Sequence, residues 1–225
     1  MTAQTVAILG GTGPQGRGIA LRLARAGVAV IIGSRDGARA AAIAAELGGG
    51  ADLPLTGAGN SDAARAASIV FVAVPWPAHH ATLADLRSEL EGKIVVDVVN
   101  PLEFDAQGPV GIAVAEGSAA QQAQALLPGS VVVAGFHHVS AKTLLDESRG
   151  VDEDVMVCGD DEGAKLTVMA LADLMPGVRG VDAGPLRLSG LVEGMTAVLL
   201  SINRRYRTTT GIRLTELDPS RRRTE

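Results

Sequence analysis

Short, wholly apolar runs alternate along this chain with stretches in which apolar side chains recur every three or four residues. The first pattern suits buried strands and the second suits helices. Read in order, it predicts strand 5–10, helix 15–26, strand 28–33 and helix 37–47, with Gly48-Gly49-Gly50 closing the last. A short strand near 53–56 follows, then helix 60–67, strand 69–74, helix 78–89, strand 94–98, helix 117–126 and strand 130–134. Helix 140–146, strand 154–158, helix 162–174 and a short strand near 178–182 complete the alternation. Repeated strand-then-helix units predict an α/β fold, a Rossmann-like, doubly wound and mainly parallel sheet. Strands apolar throughout are what a sheet covered on both faces requires. From Pro185 the pattern changes. Leu188, Leu191, Val192, Met195, Val198, Leu199 and Ile202 fall on one helical stripe, so 186–206 reads as a single amphipathic helix.

The junction of the first strand and helix carries the strongest chemical signal. Val6 to Leu9 runs into Gly11-Thr12-Gly13-Pro14-Gln15-Gly16, and the helical run Ile19 to Ala24 follows. Gly11 permits a tight turn, Gly13 lets backbone approach a pyrophosphate, and Gly16 lets helix and strand pack closely. The helix N-terminus then presents N–H groups and a favourable dipole to the anion. Pro14 suits the first helical turn, although it lacks an N–H. The second strand ends at Gly33-Ser34-Arg35. An enzyme for NAD places an acid there for the ribose 2′-hydroxyl. A hydroxyl and a guanidinium suit a 2′-phosphate instead, which selects NADP. Asp36 is the rival ribose acid, but it stands where an N-cap belongs, before the helical run Gly37 to Ala42. Residues 1–185 are therefore expected to form an NADP-binding domain, with 186–225 as a small helical segment. The apolar stripe of that segment needs a cover, since the sheet already has its own helices, and a homodimer contact is expected there.

Composition narrows the field. The chain has 225 residues, 47% hydrophobic and 2% aromatic, so its core is built from Ala, Val, Leu and Ile. A net charge of −5 argues against nucleic acid as a partner. Met1-Thr2-Ala3-Gln4 leads directly into the first strand without a signal peptide, and no apolar run reaches membrane-spanning length. A lone cysteine, Cys158, supports neither an intrachain disulfide nor a Cys-rich metal site, and no cluster has metal-ligand spacing. A cytoplasmic enzyme without a metal is the expectation.

Ligands of open parallel sheets bind outside the carboxyl ends of the strands. Those ends are Gly10-Gly11-Thr12, Gly33-Ser34-Arg35, Ala73-Val74-Pro75-Trp76, Val99-Asn100-Pro101 and Gly135-Phe136-His137-His138. Trp76, flanked by Pro75 and Pro77, either lies against the cofactor or covers the sheet edge. Asn100-Pro101 lines the crevice or simply turns the chain. Of His137 and His138, at most one reaches the crevice, because neighbours point in different directions. His79 and His80 begin a helix and read as surface residues. The chain's one tyrosine, Tyr206, has no Lys four residues on, and no Ser sits in a nucleophile elbow. A reductase without an acid–base set suggests a partner that is itself a good hydride acceptor.

These blocks resemble the NADPH-dependent F420 reductases, also called coenzyme F420:NADP oxidoreductases. The resemblance runs over nearly the whole chain. It includes Gly10-Gly11-Thr12-Gly13, Gly33-Ser34-Arg35, Val74-Pro75-Trp76, Cys158-Gly159-Asp160-Asp161, Asp182-Ala183-Gly184-Pro185-Leu186 and Leu191-Val192-Glu193. It implies hydride transfer between C4 of the nicotinamide of NADP(H) and C5 of the deazaflavin of coenzyme F420. It assigns Thr12, Ser34, Arg35 and Arg39 to the 2′-phosphate and Ala73 to Trp76 to the strand end covering the cofactor. His137 matches a histidine near the deazaflavin, and the C-terminal helix matches the family's dimer contact. His137-His138-Val139-Ser140 stands where archaeal members read His-Thr-Ile-Pro. A flavin, a small imine or a carbonyl acceptor therefore stays open beside F420, as does a non-catalytic NADP(H) sensor. F420 is strongly anionic, so its tail would suit Arg205, Arg207 or Arg213, with Arg221-Arg222-Arg223 as a solvated end.

Overall fold

The computed structural model describes residues 4–218. The chain runs β1 (Thr5–Leu9), α1 (Pro14–Arg25), β2 (Ala29–Ser34), α2 (Gly37–Gly48), β3 (Leu55–Gly59), α3 (Asn60–Ala66) and β4 (Ile69–Val72). It continues through α4 (Trp76–Asp85), α5 (Arg87–Leu90), β5 (Ile94–Asp97), β6 (Leu102–Phe104), β7 (Pro109–Gly111), α6 (Ala119–Leu126) and β8 (Val131–Ala134). Next come α7 (Ala141–Leu145), β9 (Glu153–Gly159), α8 (Glu162–Asp173) and β10 (Val178–Asp182). A 3-10 turn, Leu186–Leu188, leads into α9 (Ser189–Tyr206).

Eight strands form one sheet in the order β10-β9-β8-β5-β4-β1-β2-β3. Side chains alternate between its faces and build two cores. Val6, Ile8, Ile32 and Phe71 pack with Ile19 and Leu23 of α1 and Val168 of α8 on one face. Ala7, Leu9, Val70 and Val95 pack with Ala63 of α3, Leu83 of α4 and Ala123 of α6 on the other. Helices on both faces make the sheet doubly wound, as the alternation indicates.

The sheet departs from parallel at one place. β9 pairs antiparallel to β8, through Val133 with Gly159 and Ala134 with Cys158, and β10 runs parallel to β9. A parallel connection needs a crossover of a dozen or more residues, usually a helix. The segment after β8 offers only the five-residue α7, and that helix is spent on α1. Arg22, buried on α1, donates to the carbonyls of Leu144 (2.8 Å), Thr143, Asp146 and Arg149. The chain re-enters the sheet in reverse. Only the last two residues of β9 meet β8, so Glu153 to Val157 project beyond the carboxyl edge of the sheet.

Other differences are local. The β6–β7 hairpin went unseen because three-residue strands carry no alternation. Helix 78–89 divides at Leu86 and begins earlier, at Trp76, with Pro75 as its N-cap. Ser118 caps α6 by accepting the Gln121 N–H at 2.9 Å, so that helix starts at Ala119. Among the described residues no helix is long and apolar enough to cross a membrane. No described group of three or more His, Cys, Asp or Glu is placed to hold a metal ion.

Candidate functional site

The loop between β1 and α1 is held by its own backbone. The Gly11 N–H donates to the carbonyls of Gly33 and Ile8, and Gly13 N–H to that of Gly10. A Cβ on Gly11 would meet the Ile8 carbonyl at 2.7 Å, and one on Gly16 would meet the Gly11 Cα at 2.6 Å. These two glycines lie behind the loop as packing surfaces. Gly13 differs, since a Cβ there would have only the Gly10 carbonyl nearby, at 3.6 Å. No side chain caps α1, and no acid occupies its first turn, so its N-terminus keeps its positive character.

Above this loop lies a cleft of about 470 Å³. Thr12, Gly13, Pro14 and Gln15 line one side of it, and Ser34, Arg35 and Arg39 close one end. The Asp36 carboxylate accepts the Arg39 N–H at 3.1 Å and caps α2. That commitment turns it from the ribose position and leaves the cations unopposed. Arg35 and Arg39 are exposed, and neither guanidinium makes an ion pair with a described residue. Ala73, Val74 and Pro75 line the far side, joined by Ala78 and Thr82 from α4 and by Asn60. Sequence reasoning missed Asn60. It opens α3 directly after β3, a strand-end position hidden because the strand was expected to stop at 56. Trp76 does not line the cleft; its ring centroid lies 5.4 Å from that of His79. A larger cavity, about 600 Å³ against α8 and β10, includes none of the strand-end candidates.

Gln15 joins the glycine loop to the end of β8. Its Nε2 donates to the carbonyls of Phe136 (3.1 Å) and Val139 (3.2 Å). Phe136 has φ of 63°, a left-handed conformation that bulky residues rarely adopt. Its ring is locked edge-to-face on Phe71 at 5.4 Å, which holds the turn. The next residue, His137, is buried, and neither ring nitrogen has a hydrogen-bond partner. The Val98 and Val99 carbonyls and the Asp97 charge face the ring without meeting it at bonding geometry. Burial outweighs them and brings its pKa down to about 4, so His137 is neutral at pH 7. Asn100 Nδ2 and Thr196 Oγ1 both donate to the His137 carbonyl at 2.9 Å, and Asn100 Oδ1 is buried and unpartnered. Unpaired buried polar atoms cost ~1–3 kcal/mol each and call for an explanation, but neither Asn100 nor His137 lines the 470 Å³ cleft. His138 turns away and accepts the Met156 N–H at Nε2.

Two further expectations need correction. His79 is not on the surface; it is fully buried, bonded to Asp97 (2.7 Å) and Gln122 (3.0 Å). A polar helix start gave no hint that these partners, from β5 and α6, would lie beneath it. His80 is exposed, as expected. Arg213 is not available to an anionic tail, because it pairs with Asp152 and Asp154 and donates to the Gly177 carbonyl. Those acids meet it only where the C-terminal segment folds back along β9. Arg221-Arg222-Arg223 lies outside the described residues, while Arg205 and Arg207 are exposed.

Residues 5–101 match the family described as NADP oxidoreductase, coenzyme F420-dependent. The F420-dependent NADP reductase of Methanothermobacter thermautotrophicus is 39% identical over 94% of this chain and 95% of its own length. The chain belongs to the F420-dependent NADP reductase family. The namesake from Methanocaldococcus jannaschii is 38% identical over 95% of this chain and 99% of its length. The crystal structure of a putative F420-dependent NADP reductase from Arthrobacter sp. FB24 superposes with a TM-score of 0.78 at 28% identity. It covers 92% of this chain and 96% of that one. The likeness spans nearly the whole chain.

Proposed function

We infer that this protein transfers a hydride between NADP(H) and coenzyme F420. One observation carries the reading. A glycine-loop cleft ending in two guanidiniums that make no ion pair with a described residue adjoins, through Gln15, a corner of buried and unpartnered polar atoms. Such an arrangement supports an anionic dinucleotide in the cleft with a second polar ring beside it, and the relatives matched over nearly their full length are F420-dependent NADP reductases.

In this reading Gly11, Gly13 and Gly16 bring backbone to the pyrophosphate, with the amides of α1 facing it. Thr12, Ser34, Arg35 and Arg39 hold the 2′-phosphate. Pro14, Gln15, Ala73, Val74 and Pro75 wall the dinucleotide, and Asn100, behind the cleft, holds the His137 carbonyl beside the reacting end. Trp76 stiffens the wall from behind. The nicotinamide supplies the hydride and the deazaflavin receives it, so the chain contributes proximity, orientation and exclusion of water. His137 touches the acceptor ring as a neutral imidazole, one nitrogen donating and the other accepting. Residues 1–185 are proposed as the NADP-binding part, with α9 appended to it. A cytoplasmic setting is part of the proposal.

The reading includes a homodimer. Leu191 (73% exposed) and Val198 (57%) on α9, with Phe104 (72%) on the hairpin packed beside it, leave a row of apolar side chains in water. A second copy is the occupant such a row suits. Sedimentation at micromolar concentration tests it, and a monomer there, unchanged by Val198→Glu, rejects it.

The functional test mixes the protein with NADPH and follows the acceptor's own absorbance band, using F420, FMN, FAD and a cyclic imine in turn. Turnover with F420 alone supports the reading. Turnover with a flavin or imine but not F420 reassigns the acceptor, and tight NADPH binding without any turnover makes the protein a sensor.

A further inference from the structure

Helix α4 forms one wall of the cleft through Ala78 and Thr82, yet only His79 and Leu83 of its ten residues are buried. The position of the wall therefore depends on those two anchors. Leu83 supplies non-directional packing. His79 supplies direction: Nε2 donates to Asp97 Oδ2 at 2.7 Å, and Nδ1 faces Gln122 Oε1 at 3.0 Å. Turning the Gln122 amide over would set its oxygen against the Glu116 carboxylate, to which its Nε2 now donates. With Gln122 held by Glu116, both ring nitrogens face acceptors, an arrangement that an imidazolium satisfies fully. Burial opposes that charge, but the bond to Asp97, the charge of Asp97, the bond to Gln122 and the charge of Glu193 together raise the His79 pKa. The charged groups facing it are Asp97 from β5 and Glu193 from α9. Asp97 also faces His137.

The second oxygen of Asp97 accepts the Val99 N–H at 3.0 Å, which sets the exit of β5. Asn100 follows and holds the His137 carbonyl. A single buried carboxylate therefore spans from the cleft wall to the corner containing His137. Buried ion pairs are costly, and an apolar side chain would fill the space more cheaply. What the pair adds is a fixed distance.

We propose that the His79–Asp97 ion pair is the positioning element of this site, fixing the α4 wall relative to the Asn100–His137 corner and so the spacing of the two reactants. The proposal rests on reading the cleft as the NADP site and the corner as the acceptor site. Neither residue is assigned a part in the chemistry.

The test compares His79→Leu, His79→Gln and Asp97→Asn with the wild type. It reads thermal melting, NADPH affinity and the single-turnover rate of F420 reduction. NADPH affinity is expected to stay within about threefold, because the phosphate end is held elsewhere. Hydride transfer should fall about 10- to 100-fold in His79→Leu and Asp97→Asn. His79→Gln keeps a donor for Asp97 and should recover part of that loss. Labelled-histidine NMR should show both His79 nitrogens protonated in the wild type at pH 7 and one in Asp97→Asn. Unchanged transfer rates in the variants, equal losses in Leu and Gln, or losses that merely follow melting temperature would each overturn the positioning role. A wild type that neither binds NADPH nor reduces F420 overturns the reading of the cleft itself, and is recognised without any variant. If His79→Leu fails to fold, the Gln and Asn variants and the NMR spectra decide alone.

Discussion

Arg35→Ala separates a cofactor contact from a structural one. In the free protein the Arg35 guanidinium makes no ion pair with a described residue, so its removal breaks nothing in the fold. Unfolding free energy should change by less than about 0.5 kcal/mol, the ordinary range for surface substitutions. A hydrogen bond to a charged group contributes about 1.5–3 kcal/mol, equivalent to roughly 10- to 140-fold in affinity. The side chain is exposed and Arg39 remains beside it, so screening favours the lower part of that range. At physiological salt the Kd for NADPH should rise about 10- to 30-fold, and more steeply at low salt. NADH has no 2′-phosphate, and its Kd should move less than about twofold. Fluorescence titration with both nucleotides, repeated with 2′,5′-ADP, measures this directly. Equal weakening of NADPH and NADH, or a lowered melting temperature, would refute the assignment and make Arg35 part of the fold.

Three further outcomes follow from the buried polar groups and the glycine loop. Burial raises the Glu193 pKa to about 7 despite the N–H bonds from Ala119 and Ala120, and the Asp97 charge adds to the rise. Its folded pKa lies above the unfolded one near 4.5, so its contribution is full below that value and is lost as pH rises through 7. Glu193→Gln should therefore reduce, by on the order of 3 kcal/mol, the fall in unfolding free energy between pH 5 and pH 8. Urea titration at both pH values reads it; in both proteins Glu153, also raised to about 7 by burial, adds a fall of the same sign, and His137 and His138, lowered to about 4 by burial, oppose it. An unchanged slope rejects the Glu193 assignment. Arg22→Met strips four carbonyls of their donor and should cost more than about 3 kcal/mol in urea unfolding, a loss under about 1 kcal/mol showing that α7 docks by other means. Gly16→Ala drives a Cβ onto Gly11 backbone, so about 1–3 kcal/mol of stability should disappear together with NADPH affinity. Unaltered NADPH binding would show that the loop yields.

The sequence by itself determined whatever depends on local periodicity and on one turn. Val6 to Leu9, the glycines at 11, 13 and 16 and the helical run behind them fix a strand–loop–helix unit, because hydrophobic spacing and backbone freedom are properties of neighbours. Asp36 as a helix cap was legible for the same reason, and so was the basic end of the cleft at Arg35. The tertiary structure alone decided what distant segments do to each other. The reversal of β9 and the docking of α7 on Arg22, at a separation of more than a hundred residues, are written in no local pattern. His79 reads as an ordinary polar helix residue until β5 and α6 bring Asp97 and Gln122 beneath it. Arg213 reads as free charge until Asp152 and Asp154 close on it. Burial and pairing of a polar group are set by which elements pack against it, and no pattern along the chain encodes that packing.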